Sequence, residues 1–85
     1  MNAPNAPKNS DFTHLDPARS IISKLGGVDA VAQRRRLDRT RVFRWMYPEE
    51  RHGTGGRIPA RHIPDLIDFA HEQGKRLRHA DFFAE

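Results

Sequence analysis

Six arginines, Arg34, Arg35, Arg36, Arg39, Arg41 and Arg44, fall within eleven residues, with Asp38 the one acid among them. A guanidinium is a rigid planar fork of N–H donors that matches phosphate oxygens and the guanine edge two bonds at a time. Like charges at helical spacing repel one another, so the run suits a polyanionic partner better than a solvated helix face. Thr40 and Phe43 lie among the arginines. A hydroxyl can donate to phosphate or base, and a ring can meet a thymine methyl or a sugar. Arg39, Thr40, Phe43 and Arg44 are therefore candidates to touch base edges. Arg39 and Arg44 have phosphate clamping as their alternative, Thr40 helix capping, and Phe43 packing beneath the loop that follows. Arg34, Arg35, Arg36, Asp38, Arg41, Tyr47, Arg51 and Arg57 are candidate contacts to a nucleic-acid backbone, with Tyr47 also suited to the edge of the core.

Other chemistries find little support. The chain has no cysteine, which excludes disulfides, thiol nucleophiles and Cys-based zinc sites. The histidines at 14, 52, 62, 71 and 79 show neither H-x-x-x-H nor H-E-x-x-H spacing, so no metal and no cofactor is expected. Ser20 and Ser23 have no local base, so no catalytic residues are assigned and the chain reads as a non-enzyme without a small-molecule substrate. The GTGG at 53–56 lacks the spacing and the preceding strand of a phosphate-cradling loop.

The charge is concentrated in one segment. Fifteen basic residues against eleven acidic give a net charge of +4, and the pI is near 10.3. Residues 34–61 hold nine arginines and three acids, whereas the remainder holds six basic and eight acidic residues. With 85 residues, 36% hydrophobic, and a mean hydropathy of -0.80, one small domain with a thin core is expected. No stretch reaches the ~20 apolar residues of a membrane span. No secretory signal is visible. A cytoplasmic, nucleoid-associated protein is the expectation.

The positioning elements follow from caps and periodicity. Residues 1–15, with two Asn-Ala-Pro triplets, predict a flexible tail, and 16–85 predict the folded domain. Asp16-Pro17 marks a helix start, with Asp as cap and Pro in the first helical position. Ile21, Ile22 and Leu25 form its stripe, and Gly26-Gly27 ends it. Val28, Val31 and Ala32 mark a second helix ending near Arg35. Arg36-Leu37 makes a short turn, Asp38 caps a third helix over about 39–47, and Val42, Trp45 and Met46 face inward. Trp45 reads as core. Pro48 ends that helix. Residues 49–57 read as a Gly-rich loop, 59–62 as a short helical turn, and 64–73 as a longer helix with Leu66, Ile67 and Ala70 inward. Phe69, Phe82 and Phe83 either cap the core or supply a dimer surface. No segment alternates like a strand, so the fold class is all-α.

Two short helices joined by a three- or four-residue turn, the second basic, describe a helix-turn-helix. The segment 26–61, GGVDAVAQRRRLDRTRVFRWMYPEERHGTGGRIPAR, resembles small phage and prophage regulators of the Cro/repressor-like kind, including a YdaS-like group. The resemblance rests on a GG-V-x-x-x-A opening, a V-F-R-W helix, a Gly-rich loop into Ile58-Pro59-Ala60, and a second proline, Pro64. It implies a compact five-helix domain of the lambda-repressor-like type, with recognition helix about 39–47. It further implies a dimeric repressor. Where such proteins usually carry glycine in the turn, this chain has Arg36, at a cost of about 1 kcal/mol if the turn needs positive φ.

The expected function is a sequence-specific double-stranded-DNA-binding transcriptional regulator. In the most specific form it is a repressor whose homodimer reads an inverted-repeat operator through the major groove. Two alternatives stay open. One is an antitoxin-like or RNA-polymerase-binding adaptor whose arginine face meets an acidic protein, and the other is a nonspecific architectural binder.

Overall fold

The computed structural model describes residues 14–83. Four α-helices, α1 (Ala18–Lys24), α2 (Val28–Arg35), α3 (Arg39–Arg44) and α4 (Ile63–Glu72), are interspersed with 3₁₀ segments at Glu49–Arg51, Ala60–His62 and His79–Phe83. No strand occurs among the described residues, so the fold is all-α and compact. The expected fifth α-helix is not formed. The stretch at 59–62 is a single 3₁₀ turn that runs straight into α4, where Pro64 sits in the first turn and its missing N–H breaks no bond.

Helix α1 starts one residue later than expected. Pro17 takes the cap position, and Asp16 caps from outside: its carboxylate accepts from the Ser20 amide at 2.9 Å and the Ser20 hydroxyl at 2.7 Å. Those bonds, with Arg19 alongside, hold the Asp16 carboxyl below its ordinary range. At the other end, Gly27 N–H returns to Ile22 O at 2.8 Å. Side chains from 73–75 reach across to the remaining carbonyls. Gln73 donates to Leu25 O at 3.1 Å and Lys75 to Lys24 O at 2.6 Å, while Lys24 donates to Arg76 O at 2.7 Å.

The α2–α3 connection is tight. Arg36 adopts the left-handed conformation, φ 59° and ψ 48°, and Leu37 N–H reaches back to Ala32 O at 2.9 Å. Such a Schellman-type ending normally uses glycine. Asp38 is extended and its carbonyl starts α3, but its side chain makes no capping bond. Regular α geometry ends at Arg44, short of the expected 47. Trp45, Met46 and Tyr47 continue in i→i+3 bonds. The tightening fits the proline at 48 and the claim of Thr54 N–H on the Arg44 carbonyl at 3.0 Å.

The core draws on every helix. Ile21, Ile22 and Leu25 meet Val31, Ala32, Val42, Trp45, Met46, Ile58, Ile63, Leu66 and Ala70, all buried. The inward stripes of the sequence account for these apart from Ile58 and Ile63, which no expected stripe contained, and Ile67 of the last stripe is only half-buried. The expected N-terminal tail shrinks. Leu15 donates to Met46 O at 2.9 Å and His14 packs on Phe43 and Tyr47, so the fold begins before residue 16; residues 1–13 lie outside the described residues. After α4, Leu77 and Phe82 are buried, while Phe83 is 61% exposed.

Candidate nucleic-acid interface

Helix α3 carries Val42 inward and leaves Arg39, Thr40, Arg41 and Arg44 exposed. Asp38 and Arg36 are exposed just before it. Buried Val31 and Ala32 of α2 and Trp45 and Met46 beyond α3 fix its seat, so the exposed side chains project from a packed support. No acid among the described residues pairs with Arg36, Arg41, Arg44 or Arg57. A cluster of cations without internal partners is suited to an external anion.

The loop at 49–57 folds back on the end of α3. Thr54 ties it down: its hydroxyl lies 3.1 Å from the Trp45 carbonyl and also bonds the Arg57 carbonyl. Gly55 N–H donates to Tyr47 O at 2.8 Å. A Cβ on Gly53 would lie 2.1 Å from the Tyr47 carbonyl oxygen, so the close approach requires glycine. Gly56, at φ 92°, meets the chain before α1, and its carbonyl accepts from Ala18 N–H at 2.9 Å. The loop carries the exposed Arg51 and Arg57, and the Thr54 hydroxyl ties the Arg57 backbone to Trp45 at the end of α3.

Two expected backbone contacts turn inward. Arg34 forks onto the Asp65 carboxylate, with two bonds of 2.9 Å, and onto Glu72 at 2.7 and 3.0 Å. Its guanidinium also lies 5.0 Å from the centre of the Phe69 ring. Its hydrogen bonds to Asp65 and Glu72 raise its affinity for its proton further. Arg35 donates through Nε to His62 Nδ1 at 2.9 Å and pairs with Asp65 at 2.9 Å. These arginines clamp α2 to α4 and have acceptors of their own, which separates them from the outward set. The arginine run alone could not reveal this, because the acids lie 30 or more positions away.

Asp65 and His62 complete that clamp. Chiefly through the Arg34 bonds, the Asp65 carboxyl is held down at about 2. His62 is 3% exposed and tilts against Trp45 at 4.9 Å between ring centres. Its Nε2 is buried without a hydrogen-bond partner. Burial, then the charges of Arg35, Arg61 and Arg41, push the imidazole below its ordinary pKa.

Two residues outside the expected set join the face. His14 lies 6.1 Å from both Phe43 and Tyr47, and those two rings are 6.5 Å apart. Phe43 and Tyr47 are half-buried, and Phe43 packs against His14 and the core. Asp29, in the first turn of α2, pairs with Arg39 Nε at 3.1 Å. The Arg39 guanidinium also lies 5.7 Å from the centre of the Phe43 ring. Neither residue carries a local signal in the sequence, since tertiary packing alone brings them to α3.

No family model matches the chain, and no curated protein or solved structure matches it. No helix among the described residues is long and apolar enough to cross a membrane.

Proposed function

We propose that the chain is a sequence-specific double-stranded-DNA-binding regulator with α2 and α3 as a helix-turn-helix and α3 as the recognition helix. The observation that carries the reading is the exposure of Arg39, Thr40, Arg41 and Arg44 together on one short helix. That helix is buried along its other side and flanked by Arg36 and Arg57. In this arrangement α3 enters the major groove. Arg39, Thr40 and Arg44 face base edges with Phe43 beside them. Arg36, Asp38, Arg41, Tyr47, Arg51 and Arg57 lie toward the phosphates. Arg34 and Arg35 act indirectly, by holding α2 on α4. The most specific form is a phage- or prophage-type repressor. A two-fold pair of copies, joined through a surface that includes Phe83, reads an inverted repeat with half-sites about one helical turn apart.

The test is fluorescence anisotropy with two labelled duplexes, the stretch immediately upstream of the protein's own coding sequence and a shuffled version, at low and near-physiological salt. Selective binding that survives the higher salt is expected. Arg44→Ala should lower affinity for the native duplex about 10- to 100-fold, the worth of one bidentate base contact, and leave the shuffled duplex nearly unchanged. Arg57→Ala should weaken both alike and flatten the salt dependence by about 0.9 in log–log slope. Equal binding of both duplexes by the wild type at every salt would replace this reading with a nonspecific binder. Absence of any binding would end it in favour of an adaptor for an acidic protein.

A further inference from the structure

The acid on the basic face calls for a reason. Asp29 is 80% exposed on its side chain and stands beside α3, where a nearby phosphate would repel it. An ion pair this open contributes little to stability. The place of Asp29 in the first turn of α2 suits an acid, but it does not call for a partner on α3. Its partner, Arg39, is itself 63% exposed, and the Phe43 ring takes the same guanidinium, 5.7 Å from the ring centre. Phe43 is in turn braced by His14 and Tyr47. The guanidinium at the start of α3 is thus held by a carboxylate from α2 and by an aromatic surface from its own helix.

We infer that Asp29 is a specificity-determining positioning residue, acting through Arg39; the inference rests on the DNA-binding reading above. An arginine free to swing finds a phosphate on any duplex, and that attraction is the same for every sequence. Pairing with Asp29 cancels the charge of Arg39 at long range, so a phosphate gains little by approaching it. Hydrogen bonding at short range survives the cancellation, because the remaining guanidinium N–H groups still donate. Guanine presents O6 and N7 as neutral acceptors at a fixed place in the groove. A paired and oriented Arg39 therefore loses affinity for random DNA while keeping affinity for a base edge. Discrimination is a difference between two affinities, and Asp29 enlarges it by lowering the unwanted one.

The experiment is a double-mutant cycle between Asp29→Asn and Arg39→Gln, read by anisotropy on the native and the shuffled duplex across a salt series. Thermal melting should show every variant folded, with at most a small loss for Asp29→Asn from the first turn of α2. Asp29→Asn is expected to tighten binding to the shuffled duplex about threefold or more and to steepen its salt slope by about 0.9, one new phosphate contact. The native duplex should gain less, so the ratio of the two affinities falls. In the Arg39→Gln background the Asp29 substitution should no longer change the ratio. If Asp29→Asn strengthens both duplexes equally, or acts as strongly without Arg39 as with it, the acid is a plain repulsive charge and the inference is overturned while the DNA-binding reading stands. A wild-type protein that binds neither duplex overturns both.

Discussion

Arginines that are neighbours in sequence divide into separate roles by what surrounds each one. Arg34 and Arg35 are engaged by Asp65, Glu72 and His62, Arg39 is paired with Asp29, and Arg36 and Arg44 have no acidic partner among the described residues. Arg36 also bears the backbone conformation that glycine adopts most easily, at φ 59°. The left-handed region costs a residue with a Cβ about 1–2 kcal/mol. Glycine relieves that but gives back roughly 0.4–1 kcal/mol through the greater freedom of the unfolded chain. Arg36→Gly should therefore raise stability by up to about 1.5 kcal/mol, seen as an increased urea midpoint at unchanged slope. If the guanidinium also holds a phosphate, the same variant should bind all duplexes more weakly. A more stable protein with weaker, equally selective binding is the expected combination, and a less stable protein would show that the Arg36 side chain supports the turn.

The helices themselves were readable from short-range chemistry. Ile21-Ile22-Leu25, Val28-Val31-Ala32 and Val42-Trp45-Met46 are stripes whose spacing states which side is buried, and all but the half-buried Val28 are buried. Gly26-Gly27 and Pro48 set boundaries by backbone sterics, which need no tertiary knowledge. What stayed hidden was set by distant partners. Helix α3 stops at Arg44 because its last carbonyls are shared with a loop ten residues on, and the C-terminal segment docks because Leu77 and Phe82 find α1 and α4. The candidate face was legible as a charge run, but its division into inward and outward arginines was not, since Asp65 and Glu72 lie a whole loop and helix away. The loop at 49–57 is where an element-scale prediction can be made. Gly53 approaches the Tyr47 carbonyl so closely that a methyl group would sit 2.1 Å from the oxygen, against backbone that cannot swing aside. Gly53→Ala should thus displace the loop and cost about 2–4 kcal/mol, in the range of backbone-strain substitutions. Gly55→Ala meets nothing closer than 3.9 Å but keeps a φ of 75°, so it should cost only about 1–2 kcal/mol. Paired chemical denaturation curves check the order, and equal losses would show that the contact with Tyr47 is not decisive.

At the scale of the whole molecule, the α2–α4 clamp makes stability depend on pH in two steps. His62 is buried as the neutral imidazole, with Nδ1 accepting from Arg35, so its folded-state pKa lies below the ordinary value of 6.5. The unfolded chain then takes up the proton first. The stability it contributes is complete above about pH 6.5 and is lost as pH falls below that, toward its lowered folded value. Asp65 behaves in the same sense at lower pH. Its carboxyl is held at about 2 against an ordinary 3.8, so its contribution is complete above about pH 4 and disappears between there and about pH 2. The second step should be worth about 1–2 kcal/mol, once the water reaching the exposed third of the side chain is allowed for. Melting temperature followed from pH 8 to pH 2 should therefore fall in two stages. His62→Asn offers an amide oxygen where Nδ1 stood and cannot titrate, so it should remove the upper stage and leave the lower one. Asp65→Asn should lower stability already at neutral pH, because Arg34 and Arg35 lose their charged acceptor, and should remove most of the lower stage. Retention of the full decline between pH 7 and pH 5 in His62→Asn would show that His62 does not carry the upper stage.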